Sequence, residues 1–304
     1  MKYRFRAHET FFIRKGWLNK GIKNVLNDPY VFMGVKANPM DILGIGSNMV
    51  KSLRYWLQAV GLTYEPDSGK KCQHLTRLGE IINKYDPYLE EVGTLLLLHY
   101  RLATNEEEAT SWYYFFNEFK LNEFTKDDFI IHIKNYTRLR YDEEISIRSL
   151  EDDFNCIINT YVPRIKTNPE RVDPENIIDC PFGELGLIDI VDKKRKVYKK
   201  SMPKKGTLHP LILFAVILEQ ANGQEEIKIT TIQNEYKNAG KIFNLNIVEL
   251  TNLLYKLELL GYIKVIRTAG LDVIRVNNNL NFFDCVEKYY QTINNTAMGD
   301  NSYV

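Results

Sequence analysis

Cysteine is scarce in this chain: four among 304 residues, at positions 72, 156, 180 and 285. No two form a CxxC pair and none stands at a zinc-like spacing from a histidine. A disulfide framework is not expected in a chain of this kind, and the four read as plain thiols. Long apolar runs are missing as well. The longest, Thr94 to Leu98 and Leu211 to Leu218, fall far short of the roughly 20 residues a membrane helix needs. The opening MKYRFRAHETFFIRKGW has no apolar h-region and no small-residue cleavage site, so a cytoplasmic protein without a signal peptide is expected.

Catalytic signatures are equally thin. Five histidines, at 8, 74, 99, 132 and 209, are scattered, and none forms HExxH. There is no GxxxxGK[ST] loop. Gly44-x-Gly46 lacks the third glycine of a dinucleotide fingerprint and follows no parallel strand. No Ser/His/Asp or Cys/His spacing stands out. No catalytic residue, cofactor or metal ligand is therefore assigned, and a non-enzymatic role is expected. His8-Glu9 reads as a hydrogen-bonded structural pair, and Glu106-Glu107-Glu108 as a solvated loop.

What is present is segregated charge. Hydrophobic residues make up 44% and charged residues 26%, with a net charge of +1. Residues 1–77 hold 13 basic and 5 acidic side chains, net +8. Residues 78–190 hold 11 and 23, net −12. Residues 191–205 return to +7, with 8 against 1, and residues 206–304 carry 8 against 10, net −2. Two readings remain open: a basic surface for an anion beside an acidic surface for another partner, or blocks that neutralise each other within the fold.

Helical periodicity dominates, with short strands in hairpin-like pairs. The fold class expected is mainly α with short β-hairpins (α+β), built from tandem winged helix-turn-helix modules. The boundaries are 1–85 for an N-terminal winged-helix-like module, 86–205 for a helical middle module with a basic hairpin, 206–290 for a C-terminal winged helix, and 291–304 for a flexible tail. In the C-terminal module a helix fits His209 to Gln220, a strand EIKIT follows, and Thr231 is expected to cap the next helix. The third helix carries Val248, Leu250, Leu253, Leu254, Leu257 and Leu260 on one face, ahead of a hairpin turning at Ala269-Gly270.

The N-terminal module follows the same order. A helix is expected from Phe11 to Leu26, a short one from Pro39 to Leu43, and a tight turn at Gly44-Ile45-Gly46. Ser47 should cap the next helix, whose Val50, Leu53, Leu57 and Val60 recur at helical spacing. LTYEPDSGKKCQHLT then reads as a wing. In the middle module, Thr125 caps one helix, and Ile147, Leu150, Phe154, Ile157 and Ile158 form a stripe on another. Trp112, Phe115, Phe116 and Phe119 look like core rather than a stacking platform.

With the first stripe inward, Asn48, Lys51, Ser52, Tyr55 and Gln58 should face outward, flanked by Arg54. Such side chains suit DNA: amides pair with adenine, cations reach guanine or phosphate, and hydroxyls donate to phosphate. Ser47 at the helix start, Lys70 and Lys71 at the wing tip, and Arg14, Lys15 and Lys20 on the preceding helix complete the expected DNA-binding set. Lys194, Arg195 and Lys196 of the basic hairpin join it as phosphate contacts. The third module's helix, with Glu249 and Glu258, fits dimerisation or partner binding better. A protein–protein adaptor with an acidic middle surface is the alternative function.

The stretches HETFFIRKGWLNKG (8–21), LGIGSNMVKSLRYWLQAVGL (43–62), LTRLGEII (75–82), DPYLEEVGTLLLLHYRLA (86–103) and SLEDDFNCIINTYV (149–162) resemble an uncharacterised bacterial family, the domain of unknown function numbered four thousand and seven. The resemblance implies genes set beside phosphoadenosine-phosphosulfate-reductase-like ones in phage-defence islands. It therefore implies an accessory of DNA modification or defence, with such a protein as a partner. It supplies no catalytic residues.

Overall fold

The computed structural model describes residues 3–66, 69, 71–163, 180–268 and 271–299. Helices dominate, and the strands form small antiparallel sheets, an α+β composition. The chain divides into two compact units, Met1–Ser201 and Met202–Val304. The N-terminal and middle segments distinguished in the sequence thus lie in one unit.

Unit 1 begins with α1 (Trp17–Asn27), α2 (Pro39–Leu43) and α3 (Ser47–Ala59). Helix α1 starts later than the periodicity suggests because Gly16 is left-handed, with φ +80°, and breaks the pattern. Arg14 and Lys15 therefore precede the helix rather than riding on it. Gly44, also left-handed, ends α2. Gly46 is the extended N-cap of α3, so Ser47 is its first helical residue and not its cap. Strands β1 (Thr63–Tyr64) and β2 (His74–Leu75) pair as a short hairpin. Helix α4 (Arg77–Tyr85) follows, capped by Thr76. Its Gly79 is required by close approach: a Cβ there would sit 2.2 Å from the Leu62 carbonyl oxygen.

Helices α5 (Val92–Thr104) and α6 (Thr110–Asn117) are buried on nearly all sides, polar residues such as His99, Ser111 and Asn117 included, and belong to the core. Trp112, Phe115, Phe116 and Phe119 are buried there, as the stripe suggests. Strand β3 (Glu123–Phe124) leads into α7 (Lys126–Tyr141), whose start is closed by a Thr125–Asp128 capping box. In α8 (Ile147–Tyr161), Leu150, Phe154 and Ile157 are buried, whereas Ile147 at the open first turn is 54% exposed. Strands β4 (Ile188–Asp192) and β5 (Val197–Lys200) form the basic hairpin, and β3 joins it to give the order β3-β5-β4. Lys200 Nζ donates to the carbonyls of Phe115 (2.6 Å) and Phe119 (2.5 Å), so this lysine satisfies acceptors around the end of α6. Glu106 is not solvated: it is buried and accepts from Arg140, Tyr136 and Tyr141.

Unit 2 runs α9 (Pro210–Ala221), β6 (Glu226–Lys228), α10 (Ile229–Asn234), α11 (Ala239–Ile242), α12 (Ile247–Leu259), β7 (Ile263–Thr268), β8 (Leu271–Val276) and α13 (Phe282–Gly299). The sheet order is β6-β8-β7. Helix α10 starts two residues before Thr231, with Lys228 as N-cap, so Thr231 lies inside it. Along α12, Leu250, Leu253, Leu254 and Leu257 are buried, while Val248 and Leu260 lie outside the buried arc at 65% and 57% exposure. Helix α13 extends to Gly299, so much of the stretch expected to be tail is helical. The Ala269-Gly270 turn lies outside the described residues.

Candidate nucleic-acid interface

Helix α3 is set by its buried side. Val50, Leu53, Leu57 and Val60 are all buried. Gly21 of α1 permits the approach of Leu57, since a Cβ at Gly21 would stand 2.7 Å from a Leu57 methyl. The buried arc is wider than those four apolar residues. Ser52 is fully buried and lies 3.4 Å from the Phe11 carbonyl, to which Trp56 Nε1 donates at 2.9 Å. Tyr55 is 5% exposed, packs beside Trp56 and lies under the Arg4 guanidinium. Burial raises its phenol well above the usual 10. Ser52 and Tyr55 therefore do not face outward; they seat the N-terminal segment on α3.

Arg54 is also committed. Its Nε and Nη2 donate to the two carboxylate oxygens of Glu65, both at 2.7 Å. Gln58 Nε2 donates to the same carboxylate at 3.2 Å. Gln73 Nε2 donates to the Arg54 carbonyl at 3.1 Å. Together these bonds tie the β1–β2 hairpin to the second half of α3, so Arg54 and Gln58 position the hairpin.

The first half of α3 differs. Ser47, Asn48 and Lys51 are exposed. Lys51 Nζ reaches Asn48 Oδ1 at 3.4 Å and forms no ion pair among the described residues. Lys71 on the hairpin is exposed, and Lys70 lies outside the described residues. Lys20 donates to the Leu43 carbonyl at 2.9 Å, which joins α1 to the end of α2. The guanidinium of Arg14 lies over the rings of Phe11 and Trp17, and Lys15 is exposed.

The β4–β5 turn is the densest cationic feature. Lys193, Lys194, Arg195 and Lys196 are all exposed. Asp192 Oδ1 accepts the backbone N–H groups of Lys194 (2.8 Å) and Arg195 (3.0 Å), which fixes the turn. Lys196 completes it in the left-handed region, φ 54°.

A polar cluster not anticipated from the sequence lies beneath α3. His8 and Asp153 are each 1% exposed, with Nε2 and Oδ1 2.8 Å apart. The Thr10 N–H donates to His8 Nδ1, which leaves Nε2 as the protonated nitrogen. Asp153 also accepts from Ser111 Oγ at 2.5 Å and from the Arg6 N–H at 2.8 Å. Ion pairing of Arg6 with Asp152 and left-handed backbone at Arg6, Glu9 and Thr10 complete the wrap around His8. The arrangement satisfies every Asp153 oxygen away from solvent, the chemistry of a structural clasp. Among the described residues no group of three His, Cys, Asp or Glu side chains is placed to hold a metal ion. All four cysteines are free and buried. No described helix is long and apolar enough to cross a membrane.

No curated protein matches the chain. Two solved structures are similar to it, titled "SspB crystal structure" and "Magnesium ion-bound SspB crystal structure". Each is 27% identical and covers 94% of this chain and 88% of its own, with TM-scores of 0.81 and 0.80. Residues 5–290 match the family described as "Protein of unknown function (DUF4007)", and the chain belongs to that family.

Proposed function

We propose that the protein binds duplex DNA through the exposed first half of α3, as an accessory subunit of a bacterial DNA-modification or phage-defence system. The observation that carries this reading is Lys51, solvent-facing and without a carboxylate partner among the described residues, beside Asn48 and Ser47. The helix start adds free amides and a partial positive charge. The order α2, α3, β1, β2 is that of a winged helix-turn-helix, in which the second helix meets the groove and the hairpin follows the backbone. Lys71 then lies on the wing. Lys194, Arg195 and Lys196 serve as phosphate contacts from a second hairpin, and Lys15 adds to the field. A phosphoadenosine-phosphosulfate-reductase-like protein is the partner this reading favours.

The adaptor reading is favoured by one feature: α12 presents Val248, Tyr255 and Leu259 to solvent. The two readings separate on a labelled duplex followed by fluorescence anisotropy at low salt. Lys51→Glu should weaken binding about tenfold or more by removing a phosphate contact and adding repulsion. Lys256→Glu on α12 should leave it within about twofold, as expected of a side chain that makes no phosphate contact in this reading. Equal effects of the two substitutions, or no binding by the wild type, would overturn the proposal.

A further inference from the structure

A cleft of about 260 Å³ opens in unit 1, near the start of α1. Its lining is chemically mixed. Arg14 and Lys15 supply cations; Glu90 and Glu184 supply carboxylates; Leu89 belongs to its apolar part. Tyr88, also in the lining, is 71% exposed and so leaves a ring face available. Neither glutamate forms an ion pair among the described residues, and neither do Arg14 or Lys15. Opposite charges that share a cleft yet leave each other unpaired are placed for a ligand carrying both kinds of complement. The rim is built firmly: buried Asp86 accepts the N–H groups of Glu90 and Glu91, both at 3.0 Å, and the Thr94 hydroxyl at 2.7 Å. Leu89 is held there with φ 55°, a conformation rare for a leucine, and only 9% exposed.

We infer that this cleft takes a single unstacked nucleotide, guanine by preference. The phosphate would lie against Arg14 and Lys15, and the base on Leu89 and the Tyr88 ring. Stacking on an exposed aromatic is the usual means of holding a base outside the helix. The base edge would meet Glu90 or Glu184. A carboxylate only accepts hydrogen bonds, so it selects an edge with adjacent N–H donors, which guanine offers and thymine lacks. The volume suits one nucleotide and not a base pair. This inference rests on the DNA-binding reading, and it adds a base-recognition site to what would otherwise be backbone contact. The same chemistry fits a free mononucleotide or a nucleotide displaced from a strand.

The test titrates the full chain with guanosine and thymidine 5′-monophosphates, then with a duplex carrying one bulged guanine and its fully paired control. Guanosine monophosphate should bind about tenfold tighter than thymidine monophosphate, the discrimination of one good base-edge contact. The Glu90→Gln, Glu184→Gln double variant should bring that ratio close to one. Both side chains are exposed, so the fold should be kept, and circular dichroism verifies it. Lys15→Ala should weaken both mononucleotides alike. Tighter binding of the bulged duplex than of the mononucleotide assigns the site to displaced bases; the reverse order assigns it to free nucleotide. Absence of saturable mononucleotide and bulge-specific binding, or a ratio unchanged in the double variant, overturns the inference. If the paired duplex binds while the guanine preference is absent, this inference alone fails. If the guanine preference stands while Lys51→Glu leaves duplex binding intact, the α3 reading alone fails.

Discussion

Helices α3 and α12 occupy the same local order, each followed by an antiparallel hairpin, yet they present opposite chemistry to solvent. Helix α3 exposes Ser47, Asn48 and Lys51 at its start. Helix α12 exposes Ile247, Val248, Tyr255 and Leu259, interleaved with Asn252 and Lys256. Their inward faces are alike: leucines at three- and four-residue spacing, buried almost completely. The inward face is dictated by packing, and it recurs. The outward face is left free by the fold, so partner chemistry is written there. A polar, cationic face suits phosphate; an apolar one suits protein.

The strongest way to break the comparison is through the shared inward face. Leu53→Ala in α3 and Leu254→Ala in α12 remove equally buried side chains. Each should cost about 2–5 kcal/mol of unfolding free energy, measured by urea denaturation. A near-neutral result for either would mean that the two helices are not anchored alike.

A smaller effect separates the two halves of α3. Glu65→Ala should cost about 1–2 kcal/mol, because it leaves Arg54, Gln58 and the hairpin without their common acceptor. Hydrogen exchange at the Thr63 and Leu75 amides should quicken in step. Unchanged exchange would show that Glu65 does not hold the hairpin.

Acid sharpens the contrast between the units. In unit 2, burial and then Lys256 of α12 lower the His209 pKa from its usual 6.5. The folded state therefore resists protonation, and the unfolded chain binds more protons below 6.5. Stability from this source is complete above 6.5 and declines as pH falls from there towards the lowered value. In unit 1, hydrogen bonds from the Thr125 hydroxyl and N–H lower the Asp128 pKa from 3.8. That contribution is lost only as pH falls below 3.8. Moving from pH 7.5 to 5.5 should thus remove the His209 contribution from unit 2. His209→Asn, which keeps a cap acceptor without the titration, should lose less over the same range. An equal loss in both would remove His209 as the cause.

Much of this was legible in the sequence. The inner stripe of α3, the α2 boundaries, the Thr125 cap and the basic β4–β5 turn follow from short-range periodicity and turn chemistry. What failed was decided at long range. Ser52 and Tyr55 look outward on a helical wheel, but the N-terminal segment covers them, and Trp56 shares the Phe11 carbonyl with Ser52. Arg54 looked free because the spacing does not reveal that the β1–β2 segment folds Glu65 back onto it. His8 and Asp153 are 145 residues apart. One signal was available: Asp153 stands three residues after Leu150 and four before Ile157, a carboxylate on the buried arc of α8, which demands a partner.

The central claim is that Lys51 of α3, and not Lys256 of α12, contacts DNA phosphate. Counterion release tests it directly, through duplex affinity measured from about 50 to 200 mM salt. For the wild type, log K should fall linearly with log salt. Lys51→Gln should make the slope shallower by about one, and Lys256→Gln should leave it unchanged. A wild-type affinity indifferent to salt, or a slope that answers to Lys256 rather than Lys51, would contradict the account.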